Sequence, residues 1–111
     1  VYFTANMGDA TAQQLFRVDL NRRGAEPQPL TAGEAWHEVE MDAGARRALV
    51  TQSSPMQPPR TWLADAEGRR IAWVEENALG PQHPYAPFLA SHVAPRFGTI
   101  AAADGTPLHY R

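Results

Sequence analysis

Cysteine and lysine are both absent from this chain, and no window approaches the roughly 20 apolar residues a membrane-spanning helix needs. Without cysteine there is no disulfide, no thiolate metal ligand and no thiol nucleophile, and the redox compartment stays open. The ten basic residues are all arginine while alanine is abundant, a bias that suggests a GC-rich bacterial genome more than any activity. A net charge of −2 offers nothing to draw nucleic acid or an anionic membrane surface. The first residues carry neither the charged nor the apolar region of a signal peptide. What is plentiful is proline and glycine: 10 Pro and 8 Gly in 111 residues leave little uninterrupted helix. The 43% apolar content still suffices for a core.

The positive signal is a repeat. Leu15-Phe16-Arg17-Val18-Asp19-Leu20-Asn21-Arg22-Arg23-Gly24 is echoed by Thr61-Trp62-Leu63-Ala64-Asp65-Ala66-Glu67-Gly68, with Phe16 and Trp62 46 residues apart and Asp19 and Asp65 the same. Upstream of each copy stands a short apolar strand ending in Thr, Val1-Tyr2-Phe3-Thr4 and Ala48-Leu49-Val50-Thr51, at an offset of 47. A strand-rich repeat of roughly 40–50 residues has the size of a β-propeller blade. On this reading the chain opens on the inner strand of one copy and is a slice of a larger protein.

Period-2 alternation marks the strands. Leu15–Leu20 sets Phe16, Val18 and Leu20 against Leu15, Arg17 and Asp19, and Asn21-Arg22-Arg23-Gly24 turns the chain. Gln28–Thr31, after Pro27, reads as a short outer strand. Trp36–Met41 puts His37, Val39 and Met41 on one face and Trp36, Glu38 and Glu40 on the other. Asp42-Ala43-Gly44 turns into Arg47–Gln52. The segment Ser53–Pro59 is too stiff and donor-poor for an inner strand and reads as a connection. Thr61–Ala64 and Ile71–Val74 flank the turn Asp65-Ala66-Glu67-Gly68. Four antiparallel strands in meander order make one blade. Residues 76–96 have a loop composition with one helical turn over Phe88–Val93. Phe97–Ala102 and Leu108–Arg111 flank Asp104-Gly105, a strong hairpin signal. The expected fold is all-β: a partial propeller blade at 1–32, a complete four-stranded antiparallel meander at 33–75, a linker at 76–96 and a hairpin at 97–111.

Candidate chemistry is sparse. His37-Glu38-Val39-Glu40 lacks a second His at i+4 and lies in a strand, where neighbours point to opposite faces. It reads as a partly exposed His beside acids. His83, His92 and His109 repeat no spacing, and no glycine-rich loop could cradle phosphate. Trp36, Trp62 and Trp73 could form a stacking platform, but Trp62 and Trp73 lie in blade strands and read as packing. Arg22-Arg23, Arg46-Arg47 and Arg69-Arg70 flank turns and read as solvated loop ends. No residue is assigned a catalytic, cofactor-binding or metal-binding role, and no cofactor is expected.

One ordered succession carries a resemblance. Val39-x-Met41-Asp42-x-Gly44 leads to Leu49-Val50-Thr51, then Ser54-Pro55, Pro58-Pro59 and Glu76-Asn77-Ala78-Leu79. Ala94-Pro95-Arg96-Phe97-Gly98 and Asp104-Gly105-Thr106-Pro107-Leu108-His109-Tyr110 complete it. This order resembles the dipeptidyl peptidase IV family over nearly the whole chain. The resemblance implies the end of an N-terminal eight-bladed propeller followed by the first hairpin of an α/β-hydrolase domain. It implies a serine-type dipeptidyl (X-Pro) peptidase as parent, with peptide substrates. The family's catalytic Ser sits in a Gly-x-Ser-x-Gly elbow, whereas Ser53, Ser54 and Ser91 have no Gly two residues away on either side. Catalytic residues would therefore lie beyond Arg111, and the Glu pair that grips a substrate's amino terminus upstream of Val1. Glu75-Glu76 imitates that pair but reads as a solvated strand end. Similar bacterial enzymes are often exported to the periplasm.

Two functions follow, from different classes. In the first the chain is a non-catalytic propeller fragment that walls a substrate chamber and couples it to a hydrolase domain. In the second it is a free-standing all-β binding module with an aromatic face. Under the first, unpartnered blade faces make self-association of the isolated chain the expected behaviour.

Overall fold

Residues 1–111 are described by a computed structural model. Its centre is a sheet in the order β4 (Trp36–Met41), β5 (Arg47–Ser54), β6 (Gln57–Asp65) and β7 (Arg70–Glu75), antiparallel throughout. The alternation read from β4 holds: His37, Val39 and Met41 turn inward, while Trp36, Glu38 and Glu40 face out. The core of this sheet is Ala48, Val50, Trp62 and Ala64, flanked by Val39, Met41 and Trp73. Val50 pairs with Trp62 and Ala48 with Ala64, so two alanines stand on the strand positions beside the indole. Trp62 and Trp73 meet edge to face at 5.6 Å between centroids, the arrangement that ring quadrupoles favour.

Aspartates close the turns. Asp42 Oδ1 accepts from the Arg46 and Arg47 amides at 2.6 and 2.8 Å, and Asp65 Oδ1 from those of Glu67 and Arg69 at 3.0 and 2.9 Å. The amides, that of Arg47 first, hold the Asp42 carboxyl below the usual carboxylate range. Asp104 is held low in the same way, chiefly by the Thr106 amide. In the β4–β5 turn the left-handed residue is Ala45, φ 51°, and Gly44 does not take that role.

The first sheet, β1 (Tyr2–Ala5), β2 (Gln14–Arg17) and β3 (Gln28–Pro29), repeats the second residue by residue. Phe3 pairs with Phe16 as Val50 pairs with Trp62, and Thr4 with Leu15 as Thr51 with Thr61. The offsets of 47 and 46 are thus an offset in register. They also correct one expectation: β1 is the counterpart of β5, the second strand of the meander, and the strand absent from this sheet is the inner one. The β3 strand is shorter than expected: Leu30 N still donates to Leu15 O at 2.8 Å, but Leu15 N donates to the Thr31 hydroxyl at 2.9 Å, and the ladder stops there.

The proline segment needs a second correction. Pro58 and Pro59 belong to β6, an interior strand, and Pro55-Met56 alone forms the β5–β6 turn. The ladder shifts register between Gln52 and Ser54, so neither proline has a pairing partner there and no donor is missed.

A latched segment follows β7. His83 Nε2 lies 2.8 Å from Asn77 Oδ1, and Asn77 Nδ2 donates to Pro59 O at 2.8 Å. After the 3-10 helix Ala86–Ser91, His92 Nε2 lies 2.9 Å from Pro55 O and Nδ1 lies 2.7 Å from the Tyr85 hydroxyl. Because a carbonyl only accepts, Nε2 carries the proton and Nδ1 accepts from Tyr85. This segment of loop composition is pinned to the β5–β6 end of the sheet. The hairpin β8 (Gly98–Ala101) and β9 (Pro107–Tyr110) then forms a sheet of its own, with Tyr110 lying over Gly98.

Candidate functional site

The two larger sheets join where β2 begins and β4 begins. Gln13 N donates to Ala35 O at 3.1 Å, His37 N to Gln13 O at 3.1 Å, and Gln13 Nε2 to His37 O at 3.0 Å. Here His37 departs from its expected exposure: it is 1% exposed, packed edge to face against Trp62 at 6.2 Å, with Nδ1 2.8 Å from Gln13 O. Periodicity told which face His37 occupies, but the neighbouring sheet decided that the face is covered. Gln13, which carries the junction, has no sequence signal beyond closing the polar stretch Asn6–Gln13.

Burial lowers the His37 pKa, against the hydrogen bonds to Gln13 and Ala35 that raise it. Folding therefore favours neutral His37. Its stability contribution is complete above the unfolded imidazole value of about 6.5 and is lost as pH falls through the lowered folded value. Urea midpoints are expected to be level from pH 8 to 7 and to fall from pH 6.5 to 5, before the carboxylates titrate. In His37→Gln that slope should vanish; an unchanged slope would remove His37 as its cause.

At the outer end of the junction, Tyr2 OH donates to Ala66 O at 3.0 Å and Arg17 lies 3.6 Å from Glu67. Gly68, φ +81°, lies so close to Leu30 that a Cβ would meet the Leu30 carbonyl oxygen at 2.6 Å, so only glycine fits.

At the inner end lies a cleft of about 380 Å³ lined by Glu34, Trp36, Ser53, Pro55, Phe97 and Arg111. Of the three tryptophans, only Trp36 is exposed, at 43%. Trp62 and Trp73 are packed together, and Arg70 and Arg60 lie over Trp73 at 4.2 and 5.5 Å. The three indoles make no shared platform. A larger hollow of about 870 Å³ sits beside the short β3, bordered by Arg17, Arg22 and Glu26.

The other singled-out residues stay apart. Ser54 Oγ accepts from the Met56 amide at 3.2 Å, and Ser91 Oγ donates to Phe88 O at 3.0 Å. Glu75 Oε1 accepts from the Asn77 amide at 3.0 Å, and Glu75 and Glu76 are exposed at the end of β7. His109 lies on β9, and no group of three or more His, Asp or Glu converges on a metal position. Arg69 pairs with Asp65 at 2.7 Å on the surface, where such pairs contribute little.

A family model matches residues 1–59, and it describes the dipeptidyl peptidase IV (DPP IV) N-terminal region. The matched span holds the first sheet, β4, β5 and the start of β6; residues 60–111 fall outside it.

Proposed function

The chain belongs to the dipeptidyl peptidase IV N-terminal-region family, and from that premise we propose that it walls the substrate chamber of a serine-type dipeptidyl peptidase and couples that wall to a hydrolase domain. The fold is that of a β-propeller fragment, all-β with a four-stranded antiparallel meander. The observation that carries the coupling role is the latched segment. His92 and Asn77 fix the approach to β8–β9 at the β5–β6 end of the blade, so a domain begun by that hairpin inherits a defined position. That hairpin leaves Ile100, Leu108 and Tyr110, which the register places on one face, about half exposed, apolar surface suited to burial against further structure. In this reading the chain orients and encloses, and the bond-breaking residues are supplied elsewhere.

Trp36 and the cleft beside it favour the second reading, a free-standing module that binds an aromatic or apolar ligand there. Reading the coding frame past Arg111 separates the two. The proposal expects a Gly-x-Ser-x-Gly elbow downstream, followed by Asp and His. A stop codon just after Arg111, with a start codon just before Val1, contradicts it and favours the module.

A further inference from the structure

Two histidines hold the segment after β7, and their hydrogen bonds respond oppositely to a proton. The fixed point is Asn77, whose four polar groups are all engaged. Its N donates to Glu75 Oε1 at 3.0 Å, its O accepts from Gln57 Nε2 at 2.9 Å, Nδ2 donates to Pro59 O at 2.8 Å, and Oδ1 lies 2.8 Å from His83 Nε2. Pro59 O can only accept, so the NH2 end of the Asn77 amide faces β6 and its oxygen faces the imidazole. On the other side of the ring, His83 Nδ1 accepts from the Tyr85 amide at 3.0 Å. A backbone N–H can only donate, so this arrangement requires a neutral His83 with its proton on Nε2. A second proton would sit on Nδ1 and set one N–H against another.

His92 meets no such conflict. Its Nε2–H donates to Pro55 O in either charge state, and Nδ1 faces the Tyr85 hydroxyl at 2.7 Å. A hydroxyl donates or accepts as its hydrogen turns, so it can receive an Nδ1–H in place of supplying its own. Tyr85, 37% exposed, therefore joins the two rings, by its amide to one and its hydroxyl to the other.

The charged groups about His83 do not undo this asymmetry. Glu75, at the end of β7, is bonded to the Asn77 amide, and Glu76 beside it is exposed. On β6, Gln57, Pro58 and Pro59 are uncharged, while Arg60 is bonded to Gln52 Oε1 at 2.7 Å and lies over Trp73. Within the segment the titratable neighbours are Tyr85 and His92. The Pro55-Met56 turn that receives His92 is uncharged.

We propose that the segment is a strap with one acid-labile end: protonation of His83 cuts the bridge from Asn77 to Tyr85, while His92 keeps its hold on Pro55. Imidazoles take up this proton between about pH 8 and pH 5. In acid the approach to β8–β9 then hangs from one anchor instead of two, which turns a fixed attachment into a hinge. What that hinge does for a following hydrolase domain rests on the coupling reading above; the strap itself does not.

Backbone ¹⁵N relaxation of the 111-residue chain at pH 8 and pH 5 tests this, with near-ultraviolet circular dichroism of Trp62 and Trp73 reporting that the blade stays folded. Order parameters at His83 and Tyr85 are expected to fall from about 0.85 to below about 0.6, while those of Leu89–His92 stay near 0.85. In His83→Gln, whose side chain cannot charge, the values should be the same at both pH values. In His92→Gln the fall at Tyr85 should persist. A wild-type chain whose His83 and Tyr85 stay rigid at pH 5 overturns the proposal, as does the same fall in folded His83→Gln. A fall that coincides with loss of the tryptophan signal is global unfolding and also overturns it. A coding frame without the hydrolase elbow leaves the strap standing, and a strap that does not open leaves the coupling reading standing.

Discussion

Replacing Trp62 by alanine is expected to cost about 3–5 kcal/mol, the range for truncating a large buried aromatic. Trp62 is 9% exposed and touches His37 on one side and Trp73 on the other, with Val50 as its strand partner. The residues beside it are alanines, whose side chains have no reach with which to fill the space left. Set against the total stability of about 5–15 kcal/mol usual for domains, this loss leaves a chain that is marginally folded at best. Trp36→Ala, at a position 43% exposed, should cost under about 1 kcal/mol. Equilibrium urea unfolding followed by far-ultraviolet circular dichroism checks both. Equal effects for the two variants would mean that Trp62 is not the centre of the core.

The purified chain is expected to hydrolyse an Xaa-Pro chromogenic substrate at the rate of buffer alone, where a competent peptidase would be at least about 10⁶-fold faster. Serine catalysis needs a hydroxyl, a base that can take its proton, and a group that orients the base. Here three of the four imidazoles are otherwise engaged, His37 with Gln13 O, His83 with Asn77 and the Tyr85 amide, His92 with Tyr85 and Pro55, while His109 stands exposed on β9 with no serine hydroxyl bonded to it. Ser54 and Ser91 serve local backbone contacts. A turnover that survives repurification and is blocked by a serine-directed inhibitor would contradict the non-catalytic role.

Much of the fold was legible because its determinants are local. Alternation set the inward residues of β4, and the spacing of Phe16 and Trp62 anticipated a repeat that the pairing register reproduces. Asp42, Asp65 and Asp104 marked turns through a side-chain acceptor within reach of the next amides. What was missed depends on neighbours distant in sequence. Composition alone argues against Pro58 and Pro59 in an inner strand, but the cost of a proline depends on whether its position has a partner, and a register shift removes that partner. The alternation of β4 places His37 on a face but cannot show that Gln13 and the first sheet close over it. The latch at His92 joins residues 37 apart and leaves no mark on composition.

Interstrand nuclear Overhauser effects provide the most direct test of the central claim, that the chain is one four-stranded blade and a partial copy of it in the same register. The account predicts contacts linking Val39 to Val50, Val50 to Trp62 and Trp62 to Trp73, together with Phe3 to Phe16 in the first sheet. Helical sequential contacts across Trp36 to Glu40, parallel pairing anywhere within residues 36–75, or Phe3 paired in a different register would contradict it.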